Sequence, residues 1–168
     1  VLDLLDRCYF PTREGVANFH DNFVDALILA GEEKIAEGKV EQAVTLYKKA
    51  FTYPENHQVF LVDERATHDA QINYCLGEAY AALGQDAEAE KYWKLAAEQD
   101  YELKGSKDFR YWTGLALERL GRKAEAEAIF SALVADGEAA VVTQHVNFYG
   151  AEGTTGVTVD IINSAAYY

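Results

Sequence analysis

Apolar positions along the chain recur every three to five residues, the spacing that gathers them on one face of an α-helix. Phe23, Leu27, Ala30 and Ile35 form the first such stripe. Asn18 or Asp21 can cap its start with a side-chain oxygen, and Gly38 ends it. A second helix, predicted over about 40–51, carries Val40, Ala43, Val44, Tyr47 and Ala50 on one face. Lys48 and Lys49 near its end suit the negative pole of the helix dipole. Tyr53-Pro54-Glu55-Asn56 then breaks the run, because the residue before a proline is pushed out of the helical region. After a connection over 52–66 come helices predicted at about 67–83, 86–99, 107–120 and 123–135. Gly105-Ser106 separates the fourth from the fifth, and Ser106 can cap the fifth. Leu83-Gly84-Gln85-Asp86 and Leu120-Gly121-Arg122-Lys123 are the same turn 37 residues apart. Each contains a glycine able to adopt the left-handed conformation that closes a helix.

The two ends of the chain read differently. Residues 1–16 form an apolar tail with turns at Phe10-Pro11-Thr12 and Glu14-Gly15. After Asp136-Gly137 the helical pattern lapses, leaving β-prone Val141-Val142-Thr143 and Val157-Thr158-Val159 with Gly150, Gly153 and Gly156 between them. A hairpin competes there with irregular chain, and the expectation for 137–159 is an irregular loop. Asp160 to Tyr168 reads as the start of another helix. The expected organisation is a tail or linker over 1–16, three helix pairs over 17–136, the loop, and a truncated fourth repeat from 160. The fold class is all-α.

The three pairs share a signature. Gly31, Gly77 and Gly114 are each followed twelve residues later by Ala43, Ala89 and Ala126, and four residues on by Tyr47, Trp93 and Phe130. The separations, 46 and then 37 residues, lie near the period of helical solenoids. Glycine inside a helix is disfavoured by about 1 kcal/mol relative to alanine, so three in register argue for packing. The glycine lets the second helix approach the first, the alanine completes the contact, and the aromatic is expected to fill the wedge toward the next pair. A helix pair of this kind cannot bury its apolar face alone and must stack on its neighbours.

Leu76-Gly77-Glu78-Ala79-Tyr80-Ala81-Ala82-Leu83-Gly84 with Ala89-Glu90-Lys91-Tyr92-Trp93-Lys94-Leu95-Ala96 resembles a tetratricopeptide repeat (TPR). Residues 107–136 match more loosely, with Thr113 for the leucine and Leu117 for the tyrosine. Residues 24–51 match mainly in their second helix, with Lys34 where the tyrosine belongs. The resemblance implies a right-handed α-α superhelix of antiparallel helix pairs. Phe10-Pro11, Tyr53-Pro54-Glu55-Asn56 and the long break before the fourth repeat further resemble a group of bacterial proteins. In that group a β-sandwich domain of unknown function, like the modules of carbohydrate enzymes, precedes the repeats.

Charge and candidate chemistry narrow the function. The formal net charge of -13 over 168 residues opposes nucleic acid and anionic membranes. No window is apolar enough to span a membrane, and the first residues lack the basic flank and apolar run of a signal peptide. The chain has no methionine, which reads as a piece of something longer, with a processed mature protein as the alternative. Cys8 and Cys75, 67 residues apart, form no metal or redox motif and read as buried reduced thiols, suiting a cytoplasmic location. A disulfide between them stays open. His20, His57, His68 and His145 never take a metal-binding spacing, and His68-Asp69 reads as a capping or surface pair. Gly150-Ala151-Glu152-Gly153-Thr154-Thr155-Gly156 lacks the Lys-Ser or Lys-Thr of a phosphate loop and carries Glu152 where an anion would sit. Glu88, Glu90, Glu125 and Glu127 read as solvated helix faces. No catalytic residue, metal site or cofactor is expected.

The expected working surface is a concave groove. The resemblance maps its inward positions to Asp25, Ile28 and Glu32, then Gln71, Tyr74 and Glu78, then Asp108, Tyr111, Leu115, Glu118 and Arg119. In chaperone-binding family members a cationic clamp there holds a C-terminal carboxylate. Ile28 and Glu32 occupy the first two clamp positions here, which disfavours an acidic tail. The expected function is a non-catalytic scaffold for protein–protein or interdomain contacts, its partner a basic or aromatic-containing segment or an adjoining domain. The alternative is the accessory repeat region of a carbohydrate-active enzyme, with Tyr74, Tyr111 and Trp112 lining a sugar site. Self-association into a homodimer through the terminal repeat edge is a third reading.

Overall fold

The computed structural model describes residues 1–9, 19–57, 68–98, 110–142, 147–149 and 154–156. Seven α-helices account for most of them: α1 (Leu2–Arg7), α2 (Phe19–Ala36), α3 (Val40–Lys49), α4 (Asp69–Ala82), α5 (Asp86–Ala97), α6 (Arg110–Arg119) and α7 (Lys123–Val142). A 3-10 turn, Glu55–His57, follows α3, and a small antiparallel ribbon pairs β1 (Asn147–Tyr149) with β2 (Thr154–Gly156). No described helix is long and apolar enough to cross a membrane.

The helices pack as three consecutive pairs, α2 with α3, α4 with α5 and α6 with α7. Each pair also meets the next, through α3 with α4 and α5 with α6. The first helices touch one another as well, α2 against α4 and α4 against α6, and so form one layer.

The glycine turns explain how each pair closes. Gly38, Gly84 and Gly121 have φ of 75°, 69° and 76°, the left-handed region that a side chain disfavours. In each turn the next residue's amide reaches back five residues, Lys39 to Lys34, Gln85 to Tyr80 and Arg122 to Leu117, at 2.8–2.9 Å. That bond satisfies a carbonyl the helix end leaves open. The same residue's carbonyl then accepts from Ala43, Ala89 or Ala126, opening the second helix directly.

The second contact is the one the repeat signature marks, with a changed partner. Gly31, Gly77 and Gly114 are buried, and an added Cβ would lie 2.2 Å from Tyr47 Cε1, 2.4 Å from Trp93 Cδ1 and 2.4 Å from Phe130 Cε1 respectively. Each ring therefore rests on the glycine of its own pair, where the expectation placed it in the wedge toward the next. The glycine clears room for a flat ring sixteen residues on, which brings more apolar area into the contact than the alanine twelve residues on could. Ala43, Ala89 and Ala126 are also buried, at 0–1% exposure.

Phe23, Leu27, Ile72 and Leu76 centre a main core that runs from Leu5 to Ala89 and thus spans α1 to α5. Three expectations need revision. Residues 2–7 are helical, with Leu5 buried in the core, where an apolar tail was expected. The last helix continues through Gly137 to Val142, well past the predicted end near 135. Gly137 has no positive φ, and Val141-Val142 is helical rather than extended. One interior glycine costs about 1 kcal/mol, too little to end a helix whose neighbours continue it. The ribbon then forms at 147–149 and 154–156, inside the segment expected to be irregular, where a hairpin was the competing reading; Val157-Thr158-Val159 lies outside the described residues. The expected turns at 10–15 and the helix start at 160–168 lie outside the described residues.

Candidate functional site

The layer of first helices brings several predicted groove residues together. Tyr74 on α4 faces Trp112 on α6, with ring centroids 5.6 Å apart, and Tyr111 meets Trp112 edge-on at 5.4 Å. Tyr111 also approaches Phe130 at 5.9 Å. The result is an aromatic row across two helix pairs, half-buried at Tyr74 and Trp112 and exposed at Tyr111.

One turn further along, Glu78 is the hub. Its carboxylate accepts from Trp93 Nε1 at 3.1 Å and from Arg119 at 2.6 Å. Arg119 lies 6.0 Å from the centre of the Trp93 ring and stands beside the Tyr74 hydroxyl. Burial raises the Tyr74 phenol above its ordinary range, with the nearby Glu78 charge adding to the effect. Glu78 is thus engaged inside the protein rather than held ready for a basic partner.

The remaining predicted positions separate. Gln71 is half-buried on α4, and Asp25 and Glu32 are exposed on α2. Ile28 is 3% exposed and belongs to the core, so it lines no groove. Leu115 is half-buried on α6. Glu118 opens instead onto a groove on the α6–α7 side. Asp108 lies outside the described residues.

A polar cluster at the other end of the first pair was not legible as such. His20, His57 and His68 come from three separate segments and are all buried. His20 stacks on Tyr53 with centroids 4.1 Å apart, and its ring lies 6.4 Å from that of His57. His57 Nε2 meets the Leu5 carbonyl at 2.9 Å, while Asn56 donates to the Leu5 and Cys8 carbonyls at 2.8 and 2.7 Å, tying α1 down. His68 sits at the N-cap position of α4 without a side-chain cap bond and lies 3.3 Å from Asp21 on α2. It is therefore a buried link between helices at the cap position, without the side-chain cap bond or the surface exposure of the capping or surface pair expected. Burial lowers the His20 pKa to about 4, the Asp21 charge opposing that shift and His57 and His68 adding to it. No group of three or more His, Cys, Asp or Glu among the described residues is arranged to hold a metal ion.

The cysteines are free; Cys75 is buried, and Cys8 is exposed rather than buried as expected. Burial pushes the Cys75 thiol up to about 12, which makes it a poor nucleophile. Glu88, Glu90 and Glu125 lie on outer helix faces in short-range pairs with Lys91, Lys94 and Arg122. The chain matches no model of a known protein family, no curated protein and no solved structure.

Proposed function

We propose that the chain is a non-catalytic scaffold, a TPR-like right-handed superhelix of helix pairs that mediates protein–protein or interdomain contacts. The observation that carries this reading is the threefold recurrence of one hairpin, with ring on glycine and the same glycine-closed turn, stacked so that its first helices adjoin. Such stacks offer extended surfaces to partners. The surface here combines Gln71, Tyr74, Trp112 and Tyr111 with the exposed carboxylates Asp25 and Glu32, which favours a partner with basic and aromatic side chains. Its test is Glu32→Lys with Tyr111→Ala, two exposed sites whose replacement should leave the helical circular dichroism unchanged. Retention of a partner that co-purifies with the wild type should fall at least tenfold; equal retention would refute the reading.

The aromatic row also favours a second reading, the accessory repeat region of a carbohydrate-active enzyme. Tyr74, Trp112 and Tyr111 lie close enough to stack on successive sugar rings. A change of tryptophan emission on titration with oligosaccharide, abolished by Trp112→Ala, would select it over the first.

A further inference from the structure

The junction between the second and third pairs displays a specific chemistry: a guanidinium, Arg119, placed between a carboxylate, Glu78, and an aromatic ring, Trp93. The ring is the second-helix aromatic of one pair, and the cation comes from the first helix of the following pair. The third pair repeats the ring as Phe130 on α7, without a following helix over it among the described residues. There an open groove of about 670 Å³ is lined by Phe130 and Val134, with Glu118, Glu127, Glu138 and Lys123 around them. Val134 is 61% exposed. Its repeat equivalents Phe51 and Ala97, in the two pairs that do have a successor, are half-buried.

The charges around the groove point to its occupant. Elsewhere Glu78, Glu88, Glu90 and Glu125 on the helices, and Glu37 just after α2, are each paired with a lysine or arginine of the chain, while Glu32, Glu33 and Glu41 stand singly on α2 and α3 without a comparable groove beside them among the described residues. Glu118, Glu127 and Glu138 have no such pair among the described residues. Three unpaired carboxylates and one lysine thus ring an apolar floor, on a chain of net charge -13. We infer that the α6–α7 face docks an amphipathic helix from a partner protein, its apolar stripe on Phe130 and Val134 and its arginines or lysines over Phe130 and against Glu118, Glu127 and Glu138. This names the surface and partner chemistry of the scaffold reading, on which it rests.

The test uses two synthetic peptides of the same leucine-striped helix, one flanked by arginine and lysine, the other by glutamate. The full chain should bind the basic peptide with micromolar affinity, weakened at least tenfold by Val134→Asp and several-fold by Glu127→Lys with Glu138→Lys. Added salt should weaken it too, and amide shifts should centre on α7. Equal binding of the acidic peptide would overturn the charge assignment. Shifts centred on Tyr74 and Trp112, with the α7 variants neutral, would sink this site while leaving the scaffold reading intact. Failure of both peptides would overturn the inference. In that case a dimer broken by Val134→Asp would assign the face to a second copy, and a melting temperature lowered several degrees by that change would assign it to the chain's own residues.

Discussion

The first and third helix pairs are built on the same contact but are not equally protected. Tyr47 rests on Gly31 at 3% exposure, within a core that continues into the second pair. Phe130 makes the same contact on Gly114 yet stays half-exposed beside an open groove. The local signature is identical, so the difference arises from what covers the second helix. In a stack of this kind stability depends on neighbours as much as on the repeat itself. Breaking the contact at the two ends should therefore have unequal cost. Tyr47→Ala is expected to lose about 3–5 kcal/mol, and Phe130→Ala about 1–2 kcal/mol for its smaller buried area. Urea unfolding of the two variants checks this, and equal losses would contradict the ranking.

Acidification should sharpen the same contrast, because the described histidines sit only at the first two pairs. His20 titrates near 4 in the folded protein, against 6.5 for its unshifted value. Between those values the unfolded chain holds a proton that the folded chain does not, so stability falls as pH drops through the window. The loss from His20 amounts to about 3 kcal/mol when complete and is absent above the upper value. Replacing His20 with Phe, which keeps a ring against Tyr53, should flatten that part of the profile. Hydrogen exchange should locate the loss at α2 before α7.

A smaller effect follows from the glycines themselves. Gly31→Ala forces a Cβ to 2.2 Å from the Tyr47 ring, which is buried and cannot swing aside. Overpacking of about 1–3 kcal/mol then outweighs the roughly 1 kcal/mol that alanine adds as a helix former. At Gly114 the Phe130 ring can move toward solvent, so Gly114→Ala should fall near neutral, within about 0.5 kcal/mol. Thermal melts of the two variants test the ordering.

These contrasts mark where the amino-acid pattern speaks and where it falls silent. The closing glycines Gly38, Gly84 and Gly121 were readable because a left-handed turn needs a residue without Cβ, which is a local requirement. Helices α2 to α6 and the start of α7 were readable from their period, whereas α1 was not. The pairing of ring with glycine was not, because the signature fixes which residues are special without stating which touch. Likewise His20, His57 and His68 meet only after two connections bring their segments together, and no spacing along the chain records that. Of the groove, the aromatic row was anticipated, since Tyr74 and Tyr111 hold equivalent places in successive first helices. The burial of Ile28 was missed because its groove position was carried over from the resemblance, and spacing along α2 does not record which side chains pack over it. α7 overran its predicted end because a glycine signals a stop only where it takes positive φ, and Gly137 does not.

The smallest expected effect concerns the link between the second and third pairs. Arg119 reaches Glu78 across 41 residues, but the two side chains are 51% and 34% exposed, so water screens most of their attraction. Glu78→Gln keeps an oxygen for Trp93 Nε1 while removing the charge that holds Arg119. The cost should stay below about 1 kcal/mol and shrink further in high salt. A double-mutant cycle with Arg119→Ala isolates the pair, and a coupling of a few tenths of a kcal/mol is expected. A much larger coupling would mean that the pairs are held in register by charge. A small one leaves that register to the packing of α5 against α6 and α4 against α6, in which Thr113 on α6 also anchors its hydroxyl to the Ala96 carbonyl at 3.0 Å.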